Sequence, residues 1–187
     1  MFKVLTELLL HKQVSFEKGK ITIFGRPSSL LPTDSFVNIQ KELEHLGAEN
    51  VIYSAAKKSG EYWFEEMNKA YSLKGQDVID WGSKIVTLAG WGEAVIKKRN
   101  DSEKLIIFTL ADSTLANLYG KSEFAVDHLF RGLLCGAMSA IYKAELDCVE
   151  TSCVAKGDKI CEFVVKPSNQ FDMTNPITKK QLAPIKN

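Results

Sequence analysis

A chain of 187 residues with 45% hydrophobic, 10% aromatic and 25% charged residues has the composition of a soluble globular protein able to bury its own core. Its 24 basic and 23 acidic residues leave a formal charge of +1, which argues against a dedicated binder of nucleic acid or anionic membrane, since either needs a strong basic field. No run approaches the roughly eighteen apolar residues of a membrane span, and the apolar Leu5 to Leu10, broken by Thr6 and Glu7, leads to no small-residue cleavage site, so a cytoplasmic protein is expected.

Residues 3–13 predict a short amphipathic helix. Ser15 to Phe24 predicts a strand pair turning at Glu17-Lys18-Gly19-Lys20, with Ile21 and Ile23 alternating against Thr22. Gly25-Arg26-Pro27 and Pro32 mark a loop, after which Thr33 or Asp34 caps a helix to about Leu46. Gly47 breaks that helix. Glu49 to Lys58 resumes helical spacing, a further amphipathic stretch follows Gly60 with Trp63, Phe64, Met67 and Tyr71, and Gln76 to Leu88 carries Val78, Ile79, Trp81 and Ile85.

The period then changes to two. Gly92 to Lys98 and Lys104 to Leu110 predict an antiparallel hairpin around Arg99-Asn100-Asp101-Ser102. A helix capped by Ser122 is expected from Glu123 to about Tyr142, where Gly132, Gly136 and Ala140 form a small-residue stripe that another element can approach closely. A second hairpin, Glu145 to Val154 returning as Lys159 to Lys166, turns at Lys156-Gly157-Asp158. The tail from Pro167 holds three of the five prolines and reads as a mobile arm or a surface segment. Helices grouped before and between antiparallel hairpins mean an α+β fold, an antiparallel sheet packed against several helices. The expected organisation is an N-terminal helix and strand pair over 1–30, a main domain over 31–166 and a tail over 167–187.

Four cysteines are too few for a disulfide scaffold in a chain of this length, and three of them fall within fourteen residues. Cys135 and Cys148 read as small core residues. With a three-residue turn, Cys153 faces Cys161 across the second hairpin, at the Cβ separation of about 4.5–5.5 Å usual for opposed residues. That spacing suits two thiolates converging on one zinc, with Zn–S about 2.3 Å. Glu150 joins them if a bulge at Thr151-Ser152 turns it to the same side. Glu150, Cys153 and Cys161 then lack one ligand, which Asp127 or His128, from the preceding helix, supplies. A full set of protein ligands points to a structural role, because catalytic zinc keeps a position open for water.

The stretch from Asp127 to Pro167, with Gly132 and Gly136 on its helix and then Glu150-x2-Cys153-x3-Gly157-Asp158-x2-Cys161-Glu162-Phe163-x2-Lys166-Pro167, resembles the V4R (4-vinyl reductase) domain family. Members include sensory domains of phenol- and xylene-responsive activators and small stand-alone archaeal proteins. The resemblance implies an α+β fold related to small TRAPP vesicle-tethering subunits, a homodimer, and zinc ligands matching Glu150, Cys153 and Cys161. The family's fourth ligand, a cysteine, falls in register with Asp127, a departure that leaves Asp127 and His128 both open. It also implies a pocket for a small hydrophobic molecule between helices and sheet, for which Trp63, Trp81, Trp91, Phe108 and Phe130 are candidate lining residues.

The expected function is therefore a zinc-stabilised binding module for an aromatic or hydrocarbon ligand, a sensor or a carrier, with room for a separate regulatory partner protein. One alternative is an enzyme of the vinyl reductase type acting on a tetrapyrrole, although no Gly-x-Gly-x-x-Gly follows a strand. The other is a TRAPP-like dimeric scaffold. Asp34 to Lys58 imitates a helix-turn-helix around Gly47, but Lys57 and Lys58 sit at the far end of its second helix. Base readers use the N-terminal part of that helix, so no nucleic-acid role is expected.

Overall fold

The computed structural model describes residues 6, 8–11, 13–72 and 76–183. Two antiparallel sheets organise it. The smaller has the order β1-β2-β3, with β1 Val14–Glu17, β2 Lys20–Ile23 and β3 Arg26–Ser28, and realises the first expected strand pair with Val14 opposite Ile23. The larger has the order β4-β5-β7-β6, from β4 Glu93–Asn100, β5 Leu105–Ala111, β6 Leu146–Ser152 and β7 Cys161–Pro167. Strict alternation on β5 buries Ile106, Phe108 and Leu110, which pair with Val165, Phe163 and Cys161 of β7 to make one apolar face. The architecture is α+β, as the segment pattern predicts.

The helices are α1 Thr33–His45, α2 Glu49–Tyr71, α3 Gln76–Leu88, α4 Thr114–Tyr119, α5 His128–Tyr142 and α6 Pro176–Leu182. Leu8 to Leu10 are also helical, while residues 3–5, 7 and 12 of the first expected helix lie outside the described residues. Among the described residues, no helix is long and apolar enough to cross a membrane.

Gly60 does not separate two helices, as its propensity suggests; it lies in the middle of α2. The cause is tertiary. A Cβ on Gly60 would stand 2.2 Å from the carbonyl oxygen of Leu133, and one on Gly136 would stand 1.9 Å from that of Lys57. The α2 and α5 backbones therefore meet where both carry glycine. The stripe is a close-approach surface, and packing outweighs the roughly 1 kcal/mol that a helical glycine costs.

Three further expectations need correction. The α5 helix begins at His128 rather than Glu123, because the preceding segment is held by other partners: Ser122 N–H donates to Ala155 O, and Asp127 N–H donates to Glu150 Oε2. The second hairpin does not close on three residues. β6 ends at Ser152, and Cys153 begins a loop in which its own N–H donates to Asp158 Oδ2 and a 3-10 turn spans Val154–Lys156. The expected bulge is present, since Glu150 pairs with Phe163 and Ser152 with Glu162, shifting the register at Thr151. Finally, the tail is docked: α6 lies along β6, the edge of the larger sheet, with Thr178 and Gln181 buried.

Candidate metal centre and apolar cavity

The bulge and the late start of α5 together converge four side chains. Ligand atoms of Asp127, Glu150, Cys153 and Cys161 all lie within 4.8 Å of one another, and all four residues are buried. Asp127 arrives from the N-terminal end of α5, Glu150 from the bulged β6, Cys153 from the loop after it and Cys161 from the first position of β7. His128 stands outside this group. As the first residue of α5 it turns the other way, with Nε2 3.7 Å from Glu44 Oε1, and burial pushes its pKa down to about 3.

The surroundings hold these groups in place. Ser113 Oγ donates to the Asp127 carboxylate, 2.9 Å to the nearer oxygen. Val154 N–H points at Cys161 Sγ at 3.3 Å, a contact that favours sulfur carrying negative charge. Glu150 Oε2 accepts from Asp127 N–H, whereas Oε1, in a residue 1% exposed, has no partner. A buried carboxylate oxygen without a donor is costly, and a cation at the centre of the four groups removes that cost.

The titration behaviour points the same way. Burial pushes the Asp127 carboxyl up to about 6, and burial with the neighbouring Asp127 charge holds Glu150 well above the usual carboxylate range. The hydrogen bond from Cys161 brings Cys153 down to about 6, while the same bond and burial push Cys161 up. Burial and crowding thus favour protons on Asp127, Glu150 and Cys161, and a divalent cation bound there would displace them. Two sulfurs and two carboxylate oxygens match the donor types and the number of a tetrahedral zinc site.

Sequence reasoning named Glu150, Cys153 and Cys161 and left the fourth place open between Asp127 and His128, but it missed the groups behind them. Gln181 of α6 grips the backbone of Glu150, and Arg131 of α5, 0% exposed, donates from Nη1 to Cys148 O at 2.9 Å and Gln181 O at 3.0 Å. Neither has a spacing signature, since 31 and 50 residues separate the partners.

A second feature lies where two core clusters meet. One cluster contains Phe108, Phe130, Leu134 and Met138; the other contains Met67, Val78 and Ile85. Between them is a cavity of about 240 Å³. Four of the five aromatic candidates, Trp63, Trp91, Phe108 and Phe130, line it. Trp81 lies outside the lining and packs on Tyr71 with ring centroids 4.4 Å apart. Phe130 organises the sheet side, with centroids 5.9 Å from Trp91, 6.0 Å from Phe108 and 5.0 Å from Phe163. Among the described residues no charged side chain lines the cavity, and the one serine that does, Ser83, donates its hydroxyl to Asp80 O.

Residues 106–167, which contain nearly all of β5, the whole of α5 and the second hairpin, and all four clustered side chains, match the V4R domain. The segment 106–167 is V4R-like. The fold extends the likeness beyond that segment. The phenol-responsive sensory domain of the transcription activator PoxR, solved with phenol, superposes with a TM-score of 0.78 at 20% identity, covering 98% of each chain. A vinyl-4-reductase family protein from Methanocaldococcus jannaschii gives 0.50 at 21% identity over 74% of this chain and 83% of that one. A trafficking protein particle complex subunit 3 from Naegleria fowleri, covalently bound to palmitic acid, gives 0.55 at 13% identity over 72% and 93%. In sequence, the uncharacterized protein MJ0150 of M. jannaschii is 26% identical over 164 residues, 84% of this chain and 91% of that protein. The V4R-like segment thus sits in a fold similar to those of the PoxR sensory domain and the Naegleria subunit.

Proposed function

We propose that this protein binds one small apolar molecule in the cavity between α2, α3, α5 and the larger sheet, and that a zinc ion at Asp127, Glu150, Cys153 and Cys161 braces the hairpin beneath it. The cavity carries the reading. An apolar cavity of about 150 Å³ is known to hold benzene, so about 240 Å³ lined by aromatic and aliphatic groups suits a single substituted ring or a short hydrocarbon chain. The phenol bound by the PoxR domain and the palmitic acid carried by the Naegleria subunit support a small, largely apolar ligand in this fold.

The zinc would be held by the two carboxylates and two thiolates and would serve to close a hairpin whose loop is too irregular to hold itself. With four protein ligands it leaves no position for substrate, which favours binding over metal-assisted chemistry. Asp127, rather than His128, is the fourth ligand in this reading. As sensor or carrier, the module would act as a homodimer or through a separate regulatory protein. Exposed Leu30, Leu31 and Leu46 are apolar groups such a contact would cover.

The decisive experiment is titration with toluene while following tryptophan emission, since Trp63 and Trp91 face the cavity. Saturable change with one molecule bound per chain is the expected result, and native mass spectrometry reads both the ligand and the dimer. An emission spectrum unmoved by toluene and by short alkanes would remove the binding proposal.

A further inference from the structure

The strands β1-β2-β3 form a sheet of their own, and among the described residues up to Ser28 only Leu8 and Phe24 are buried. Phe24 follows β2 directly and has φ +50°, with Gly25 after it at φ +74°. A bulky aromatic residue in the left-handed region is strained, and it persists where its surroundings over-determine it. Its N–H donates to Gln13 O at 2.7 Å, which ties it to its own unit. Its ring points the other way. It stands at 90° to Trp63 with centroids 5.1 Å apart, and at 80° to Tyr71 with centroids 6.0 Å apart.

What Phe24 packs against is the wall of the apolar cavity. Trp63, Met67, Val78 and Ile85 line that cavity, and the same four side chains make one cluster with Leu8 and Phe24. Neither Leu8 nor Phe24 is part of the lining. The wall here is a single layer of side chains, with the ligand space on one side and the N-terminal unit on the other. Further out, His11 meets Tyr71 edge-on at 6.3 Å, and the Arg26 guanidinium lies 5.5 Å from the centre of the Tyr62 ring.

An empty cavity leaves the inner surface of these side chains without partner atoms. A ligand supplies them, and it holds Trp63 and its neighbours where Phe24 needs them. From this geometry we infer that the N-terminal unit is a clasp coupled to the cavity: Phe24 backs Trp63 from outside, the ligand backs it from inside, and each strengthens the hold of the other. The inference rests on the cavity reading above and adds the regulation of that site. Phe24 is a positioning residue, since it acts on the ligand through Trp63 and does not touch it. The coupling is reciprocal: the factor by which a ligand tightens the clasp is the factor by which a released clasp weakens the ligand. Occupancy of a buried cavity thereby becomes a change in how firmly an outer sheet is seated.

The test is amide exchange of the full chain with and without saturating toluene, joined to toluene titrations of the variants F24A, F24L and F16A. Toluene should slow exchange in β1–β3 by about fivefold or more, the lower end of ordinary coupling between sites. The α6 helix, which opens locally and lies on the far edge of the larger sheet, should exchange as before. F24A should bind toluene about fivefold more weakly, by reciprocity, and F24L should fall between it and the wild type. Phe16 is 67% exposed, so F16A should bind toluene as the wild type does. Lost stability alone does not lower the affinity of the molecules that remain folded, so the titration separates coupling from simple destabilisation.

If toluene binds but slows β1–β3 no more than α6, the clasp is wrong and the N-terminal sheet is a passive cover. Phe24 variants that bind toluene as tightly as the wild type overturn it as well. Should F24A fail to fold, the exchange of the wild type and the affinity of F24L still decide. A wild type that binds no toluene removes the cavity reading itself, whereas bound toluene with an indifferent N-terminal sheet removes only the coupling.

Discussion

Gln181 brackets the peptide of Glu150: its Oε1 accepts from Glu150 N–H and its Nε2 donates to Glu150 O, both at 2.8 Å. β6 is an edge strand, and this side-chain amide takes the place of the neighbouring strand that would otherwise satisfy those two groups. One residue from α6 thus fastens the C-terminal segment to the backbone of a candidate metal ligand. Asn50 adds a second tie, donating to Ala183 O at 3.0 Å.

Replacing Gln181 with alanine leaves two buried backbone groups unsatisfied. The expected cost is about 2 kcal/mol or more, since each orphaned group carries a desolvation penalty of about 1–3 kcal/mol. Amide exchange should accelerate across Pro176–Leu182 and at Glu150 while β5 stays protected. Uniform exchange throughout the molecule, or none altered, would mean that α6 is held by something other than this bracket.

Glycine on the α2–α5 contact offers a sharper contrast. At Gly136 an added Cβ meets backbone at 1.9 Å, and backbone cannot yield, so Gly136→Ala should cost more than about 2 kcal/mol by separating the helices. Gly82 on α3 has nothing within 4 Å of that position, and Gly82→Ala should raise stability by about 0.5–1 kcal/mol through helix propensity alone. Chemical denaturation of both variants checks the pair. Equal effects would contradict the close approach.

Particular residues show what the sequence makes legible and what it does not. The β5 alternation of Ile106, Phe108 and Leu110 fixes a core face by itself, and the Glu150–Cys153–Cys161 spacing with a bulge describes a site that depends mostly on one hairpin. Those are local patterns, so periodicity finds them. Gly60 misleads because its propensity is local and the contact that overrides it, with Leu133, is not. The start of α5 misleads for the same reason, since Ser122 reads as a cap but bonds Ala155 across the loop. Asp127 and His128 are adjacent and chemically rival ligands, and only the rotation of the first turn of α5 separates them. The tail reads as a mobile arm or a surface segment, and its docking goes unread because Gln181 and Arg131 are polar residues, whose burial at long sequence separation leaves no periodic trace.

Zinc should be measured directly. Cleanly purified protein is expected to hold about one zinc per chain by elemental analysis. Cys161→Ser removes a thiolate from the first position of β7, where its pairing partner is buried Leu110. Loss of the ion should lower Tm by about 10 °C or more, taking about 2–4 °C per kcal/mol for a chain of this size. Treating the wild type with a strong chelator should reproduce the variant's Tm. Protein that is free of zinc and indifferent to chelator would leave the four side chains as a hydrogen-bonded cluster only.

Selectivity follows from the lining of the cavity. A ligand hydroxyl buried against Phe108, Phe130, Leu134 and Met138 gives up its water and meets no charged group among the described residues, and Ser83 already donates to Asp80 O. Burying an uncompensated hydroxyl costs about 1–3 kcal/mol in proteins, so toluene should bind about tenfold to a hundredfold more tightly than its ring-hydroxylated counterpart. Ala137→Phe places a ring in the space between α5 and α3 and should abolish binding of both while leaving the zinc content unchanged. Titrations of the two ligands against wild type and variant, followed by tryptophan emission, give the comparison. A phenol bound more tightly than toluene would require a polar partner inside the cavity and would show that the ligand enters in a different place.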